Sequence, residues 1–551
     1  MPEARLPANS SASSLRNVAL RSVSSLMGLQ LVSRLFTFAL NQALVRIASP
    51  QTFGTASIQF ELVLSTILFL SREGVRNSLL RVDGDSTSSK NSDEETRIRA
   101  IQTSNLALLP FYSGLPISGL VAGIYLYFSS METREQPYFV LSIAVYVLAA
   151  TIELLCEPLH TRTMQQLNSA LRFRAEGLGV VSKTAITFIV LWYDSGRRST
   201  PPSFGLTAFA LGQLTYSAMV FCVYASEYGM SVKHSPDSKT TAAAKQTRIS
   251  FFDDKLVTVA VAMTGQSVVK HFLTEGDKLV ISKFSPLKDQ GGYAIAVNYG
   301  SLVARILLQP IEETSRFFFS RTLSSTSPSH TALVSASTTL NSLLLFYSHM
   351  ALFLVSLARP YLSIVFTALL PQRYLSTSAP SILAAWIWYI PVLAVNGVLE
   401  AFVSSIATVS DVRSQSKWMT AFSLLYLVAT VVLYKAAGIG DSALVYANMV
   451  NLSARIIYCV RVVDVYFKRH IPQNKSEGGS STTPWKDCIP PYPVLTYFAV
   501  AWSVTRASNQ IFKVEHVVGT LGKRGLLSSA IVAHCAVGAV AGILGLVVWL
   551  V

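Results

Sequence analysis

Charge is what this sequence lacks. Only 14% of its residues are Asp, Glu, Lys or Arg, against roughly a quarter in soluble proteins. A chain of 551 residues with so little charge is poorly equipped to face water along its length. The signatures of soluble enzymes are missing as well. No glycine-rich loop is followed by Lys-Ser/Thr, which excludes a P-loop and ATP hydrolysis. No HExxH, paired-aspartate magnesium motif or GxSxG elbow occurs. The net charge of +15 is spread over short loops and helix ends, with no basic domain interleaved with aromatics, so a nucleic-acid partner is not expected. The five cysteines, Cys156, Cys222, Cys459, Cys488 and Cys535, make no CxxC pair, and four lie in apolar segments. That is the pattern of small buried hydrophobes rather than of metal ligands. Residues 1–20 have scattered arginines and no compact apolar core before a cleavage site, so the first span is expected to act as the targeting signal. No cofactor, no metal and no catalytic residue is expected.

What is present is hydrocarbon-compatible sequence. The chain is 51% hydrophobic with a mean hydropathy of +0.43. Apolar runs recur about every 30 to 40 residues, each near the length of about 20 that crosses a bilayer. Such runs must satisfy their backbone groups internally, which makes them helices. The expected fold class is therefore an all-α polytopic membrane protein of about fourteen spans. These are placed near 22–47, 57–80, 101–128, 138–158, 169–193, 204–227, 255–283, 291–320, 334–357, 379–407, 416–436, 440–466, 491–511 and 526–551. The thirteenth carries Arg506 and several polar residues, and 360–370 is apolar but too short to cross, so it either extends span nine or lies in the interface.

Polar loops divide this string. The expected organisation is an N-terminal lobe of spans one to six over 1–230, a cytosolic linker over 231–254, and a C-terminal lobe of spans seven to twelve over 255–467. A cytosolic loop over 468–490 and two additional spans over 491–551 follow. With the N-terminus in the cytosol, loops on that side hold roughly 25 Lys and Arg against about 11 opposite, as the positive-inside rule requires. Both termini are then cytosolic, with Lys513, Lys523 and Arg524 running against the trend. The sequons at Asn9, Asn451 and Asn474 fall in cytosolic segments or inside a span, so none is expected to be modified.

The two lobes repeat each other. Ser49-Pro50, Gly54 and a helix ending in Glu73, Arg76 and Arg81 are matched by Ser285-Pro286, Gly291-Gly292 and a helix ending in Glu313, Arg316 and Arg321. The charged triads are about 240 residues apart, the mark of a duplication. Six spans per copy keep both halves in one orientation, related by an axis along the membrane normal.

Ionisable residues inside spans carry the functional signal, since each costs about 2.5 to 3.5 kcal/mol on insertion scales. They are Arg34, Arg46, Glu61, Glu153, Lys183, Lys270, His271, Glu275, Asp277, Lys278, Arg305, Glu400 and Arg455. One reading has them paired to fasten helices. Another has Arg34, Arg305 and Arg455 facing one cavity, where guanidinium forks suit a phosphate or pyrophosphate. Arg46 and Lys278 also suit snorkelling to an interface. Glu275-Gly276-Asp277-Lys278 sets three charges around a glycine, where a kink is expected. His271 and His534 read as satisfied core residues. Arg72 and Arg76, one turn apart, read either as a headgroup-phosphate clamp or as partners of Glu73.

The sequence resembles the eukaryotic Rft family of oligosaccharide translocation proteins, within the multidrug/oligosaccharidyl-lipid/polysaccharide exporter superfamily. The resemblance is carried by residues 31–41 (LVSRLFTFALN), 65–73 (STILFLSRE), Glu275-Gly276-Asp277-Lys278 through Asn298-Tyr299-Gly300, 309–316 (QPIEETSR) and 395–402 (VNGVLEAF). It implies two six-helix lobes around a central cavity plus two C-terminal helices, in the endoplasmic reticulum membrane. It also implies a role in moving a dolichol-pyrophosphate-linked oligosaccharide from the cytosolic to the lumenal leaflet for N-glycosylation. No family catalytic residues carry over. The substrate-binding set expected from burial and charge is Arg34, Arg46, Arg72, Glu275, Asp277, Arg305 and Arg455. A flippase is the leading expectation. A non-transporting binder or scaffold assisting glycosyltransferases of that membrane is the second, and a cation/drug antiporter the third.

Overall fold

A computed structural model describes residues 38–82, 93–166, 168–196, 204–229, 252, 254–323, 328–470 and 488–550. Most of the expected first span, Arg34 included, and nearly all of the 231–254 linker lie outside these residues. The described chain is helical, and no strand occurs among the described residues. Eleven helices are long and apolar enough to cross a membrane. These are α1 (Pro50–Leu79), α2 (Gln102–Phe128), α3 (Phe139–Gln165), α4 (Ala170–Gly196), α5 (Gly205–Tyr228), α8 (Leu287–Thr322), α9 (His330–Leu369), α10 (Ala379–Ile406), α11 (Ser410–Lys435), α12 (Gly440–His470) and α14 (Ser529–Val548). A twelfth is a broken pair, α6 (Leu256–Phe272) and α7 (Gly276–Phe284), bent by 49°. The expected kink at Glu275-Gly276 is thus a full break. The thirteenth expected span is α13 (Tyr492–Ile511), a helix outside the eleven because of its polar residues. The count of fourteen therefore stands at eleven to twelve among the described residues. Residues 360–370 continue α9 rather than forming a separate interfacial segment.

The chain divides into two compact units. The first comprises Ala43–Ile295 and Arg373–Ala379; the second is built from Ala296–Gln372 and Pro380–Val551, with the residues before Ala43.

In the first unit the repeated turns are visible as local structure. Ser49 caps α1, its Oγ accepting from Thr52 N at 3.2 Å, and Pro50 occupies the first helical position, where no N–H is needed. Ser285, extended at φ −90° and ψ 139°, precedes Pro286 at the start of α8 in the same way. The two turns meet. A Cβ on Gly54 would lie 2.6 Å from Gly291 N and 2.9 Å from Leu287 O, and one on Gly291 would strike Pro50 C at 2.8 Å. Only glycine lets these backbones approach so closely. Beside the contact, Gln59 Nε2 donates to Gln290 Oε1 at 2.7 Å and Tyr125 OH donates to Gln59 Oε1 at 2.7 Å, so the buried amides are satisfied. Phe60, Ile67, Phe139, Tyr146, Leu154 and Leu206 form the core between α1, α3 and α5. The break after α6 is fastened rather than loose. Lys278 Nζ pairs with Glu275 at 2.8 Å, Tyr293 OH donates to Asp277 Oδ2 at 3.1 Å, and His271 bonds Thr66 Oγ1 at 2.9 Å.

In the second unit α11 lies along α12, and Phe402 joins α10 to Phe319 of α8 and Phe467 of α12. The C-terminal pair docks on α9 where its winding is irregular, at a π-helical turn over Leu354–Ala358 followed by a 3-10 turn over Arg359–Tyr361. Thr505 Oγ1 donates to Ser356 O at 3.2 Å, Tyr361 stacks on His534 at 4.2 Å, and His534 bonds Ser508 at 2.8 Å. His271 is a satisfied core residue, as expected; His534 is buried in the core and its ring bonds through Nδ1 only, its Nε2 having no partner among the described residues.

Candidate functional site

The ends of α1 and α3 carry matching charge ladders. Arg72 and Arg76 are one turn apart on α1, and Glu153 and Glu157 are one turn apart on α3, so each pair shares a helix face. Glu157, 3% exposed, takes Arg76 as a fork, from Nη2 at 2.6 Å and Nε at 3.2 Å. It also accepts from Arg72 Nη1 at 3.2 Å, which reaches Glu153 at 3.6 Å as well. Glu73, the partner expected from its neighbouring position, instead accepts from Asn77 at 3.2 Å. Glu73 and Arg76, three residues apart, are close enough to pair, but both guanidiniums turn to the buried Glu157 of α3 instead.

The ladder opens onto a cavity of about 330 Å³ lined by Glu61, Arg72 and Glu73 of α1, Glu153 of α3, Lys183 of α4, and Gln213 and Tyr216 of α5. Its polar wall is a chain of bonds. Lys183 Nζ donates to Gln213 Oε1 at 2.6 Å, Gln213 Nε2 donates to Glu153 Oε1 at 2.9 Å, and Ser217 Oγ donates to the same oxygen at 3.1 Å. Three carboxylates and two cations face the space, so its lining is mixed in sign. It has the size of a small-ligand site, enough for part of a large headgroup. Mixed charge under such confinement suits a ligand that presents both hydroxyls and anionic oxygens, because each can exchange into an existing pair.

The second unit holds a related centre with its charges rearranged. Arg455 of α12 donates to Glu400 Oε1 of α10 from Nε at 2.7 Å and Nη2 at 2.5 Å. Glu312 of α8 pairs with Arg316 at 2.8 Å and borders Gly397 of α10, where a Cβ would lie 3.0 Å from its carboxylate. Counting 240 residues from the first copy, Glu312 stands where α1 has Arg72. The guanidinium of this centre comes from α12, whereas that of the first unit's cavity comes from α1.

The remaining expected site residues are dispersed. Arg46 is exposed near the end of the helix preceding Ser49, and its carbonyl accepts from Arg373. Glu275 and Asp277 secure the α6–α7 break and do not line the cavity. Arg305, on a π-helical turn of α8, folds onto its own helix, Nη2 reaching Asn298 O and Oδ1 at 3.2 Å. Arg34 lies outside the described residues. The structure thus brings Arg72 together with Glu61, Glu153 and Lys183, and Arg455 together with Glu400. Sequence reasoning missed Glu157, Gln213 and Tyr216. For Glu157 the signal was there: Glu-x3-Glu on one helix opposite Arg-x3-Arg on another.

Comparison with known proteins gives a consistent picture. The family described as Rft protein matches residues 18–551. The Man(5)GlcNAc(2)-PP-dolichol translocation protein of Yarrowia lipolytica is 33% identical over 488 residues, covering 82% of this chain and 70% of that protein. The protein so named in Saccharomyces cerevisiae is 32% identical, covering 78% and 80%, and that of Mus musculus 28%, covering 82% of each. Among solved structures, a multidrug resistance MATE family transporter of the MOP superfamily, inward-facing, superposes with a TM-score of 0.52 at 11% identity, covering 80% of this chain and all of that one. The lipid II flippase MurJ, inward closed, gives 0.50 at 12% identity, covering 95% and 98%. These two likenesses are of fold.

Proposed function

The chain belongs to the Rft protein family, and from that premise we propose that it carries a dolichol-pyrophosphate-linked oligosaccharide across the endoplasmic reticulum membrane, from cytosolic to lumenal leaflet. The physical problem is one of solvation. A sugar-pyrophosphate head is excluded by hydrocarbon, while a polyprenyl tail is at home in it. The observation that carries the reading is the polar cavity of the first unit, a water-accessible space with Arg72 and Lys183 in its wall inside an otherwise apolar bundle. Arg72 in that position pairs bidentately with phosphate oxygens, Lys183 adds a point charge, and carboxylates beside them accept from sugar hydroxyls. Arg72 moves from Glu157 to the ligand while Arg76 keeps Glu157 neutralised, and Glu153 keeps its hydrogen bonds from Gln213 and Ser217. Arg46, Arg305 and Arg455 of the expected set, with Arg34, contact the head at other stages of its passage, and Glu275 and Asp277 balance charge. No step breaks a covalent bond, so the protein is a carrier rather than an enzyme.

We read the organisation as two six-span lobes joined by the 231–254 linker, followed by two further spans, with both termini in the cytosol. The test is reconstitution in liposomes with a leaflet-specific readout of the glycolipid. Transfer faster than in protein-free liposomes is expected, and equal rates with folded protein present would sink the carrier reading. The closed pairs Arg76–Glu157 and Arg455–Glu400 favour a second reading, a non-transporting binder that presents the glycolipid to glycosyltransferases. It predicts glycolipid binding in the same preparation without transfer.

A further inference from the structure

A duplicated bundle contains its own control, because positions that the fold alone demands are expected to be filled alike in both copies. The copies can be registered on the pair each makes between its fourth and sixth helices, Gln213 with Glu153 and Arg455 with Glu400. Subtraction sets α10 at 400 − 153 = 247 positions beyond α3, and α12 at 455 − 213 = 242 beyond α5. Asn448 then stands where the first copy has Leu206, Asn451 where it has Phe209, Tyr389 where it has Ser142, and Asn396 where it has Ala149. Leu206, Phe209 and Ala149 are buried at 2%, 6% and 0% exposure, and Leu206 belongs to the core of the first unit. Apart from Ser142, also buried, the first copy thus fills these positions of the helix pair with apolar side chains and keeps its polar bonds to the Gln213–Glu153 end.

The second copy joins it by a polar seam instead. Asn448 Nδ2 donates to Tyr389 OH at 2.9 Å, and Asn451 Nδ2 donates to Asn448 Oδ1 at 3.1 Å. Arg455 and Glu400 follow one turn further along. Asn448, Asn451 and Arg455 recur at helical spacing, as do Tyr389, Asn396 and Glu400, so each set lies on one face. At 1.5 Å per residue the seam runs for about 16 Å along α10. Its capacity is not exhausted. Arg455 spends two of its five N–H donors on Glu400, and Asn448, Asn451, Glu400 and Arg455 are only half-buried. Trp386, whose ring lies 4.7 Å from that of Tyr389, has a buried indole N–H without a partner among the described residues, as does the Asn396 side-chain oxygen. Alternating donors and acceptors beside aromatic rings match a chain of hydroxyl-bearing rings. Glu157 has a second cation to hold it when Arg72 leaves, whereas Arg455 is the one ion-pair partner of Glu400 among the described residues, so turning it to a bare phosphate would strand that carboxylate.

We propose that the α10–α12 seam of the second unit binds the sugar portion of the carried lipid, with Tyr389, Asn448 and Asn451 as the contacts that read its hydroxyls. This rests on the reading of the chain as a glycolipid carrier. The experiment uses full-length protein in nanodiscs and a soluble mannose-rich oligosaccharide lacking pyrophosphate and lipid, with binding followed by saturation-transfer NMR. The wild type should bind. N448L/N451F, which installs the residues used by the first copy, should weaken binding by about tenfold or more while the thermal transition is retained. Binding within twofold of wild type in that variant overturns the proposal. Should N448L/N451F fail to fold, Asn451→Ser serves in its place, with unchanged binding again counting against the seam. If the wild type does not bind the free oligosaccharide yet transfers glycolipid in liposomes, the seam is wrong and the carrier reading stands. Binding without transfer leaves the seam and removes the carrier.

Discussion

Replacing Glu157 with Gln keeps the side chain's shape and removes its charge, and the structure allows the loss to be sized. Glu157 is nearly inaccessible and receives three bonds from two guanidiniums. Once it is neutral, Arg72 retains only the 3.6 Å approach to Glu153, and Arg76 loses its forked carboxylate. Stranding a buried charge costs about 3–5 kcal/mol. Both guanidiniums are 24% exposed and keep some water, which brings the loss to the bottom of that range or just below it, about 2–3 kcal/mol. Against a native stability of about 5–15 kcal/mol, that is a large share. The assay is denaturant unfolding of purified protein in nanodiscs for Glu157→Gln, Arg76→Gln and the double variant. Because the double variant removes both charges, it should be less destabilised than the single losses sum to, with a coupling of about 2 kcal/mol. A coupling below about 0.5 kcal/mol, the level found for independent sites, would refute the view that the ladder holds α1 to α3.

Three further outcomes are expected. Arg72→Met should abolish glycolipid transfer while folding persists through Arg76–Glu157, and Arg72→Lys, lacking the fork, should recover only part of the rate; full activity in Arg72→Met would remove Arg72 from the site. Gly291→Ala drives a methyl into Pro50 and should lower membrane-inserted yield several-fold by immunoblot, whereas Gly265→Ala, with nothing within 4 Å, should not. Gly538→Leu fills the space held by the Tyr361 ring, 2.5 Å from where a Cβ would stand, and should render α13–α14 more susceptible to limited proteolysis at the preceding loop. Unchanged cleavage would show that the stack on His534 does not dock that pair.

The sequence displayed the helices well because membrane spans are long, apolar and nearly free of charge, and each expected span within the described residues has a helix at its place. It also displayed the break at Glu275-Gly276, since three charges around a glycine conflict with an uninterrupted apolar helix. Partnerships were harder to read. Glu73 looked like the partner of Arg72 and Arg76 because it lies next to them, yet proximity along a helix is not proximity in space, and the true partner lies 81 residues from Arg76. Arg305 and Arg455 looked alike as lone guanidiniums in apolar segments. In the structure Arg455 crosses to the Glu400 carboxylate of α10, while Arg305 reaches back to Asn298 on its own helix. The cavity wall was invisible for a related reason: Gln213 and Tyr216 are ordinary residues whose role comes from the face of α5 they share. The polar seam of α10 and α12 becomes noticeable only when the two copies are set side by side.

The meeting of Gly54 with Gly291 ties together two turns that are far apart in sequence. Main chain rests on main chain there, so no side-chain adjustment can absorb a change on either side, and a larger residue in one turn is harmful whatever the other turn does. Charges on the helix faces can be exchanged or moved with their partners, but the crossing cannot be adjusted in that way. Relatives of this chain should vary in the placement of their charges and keep small residues at these two positions together.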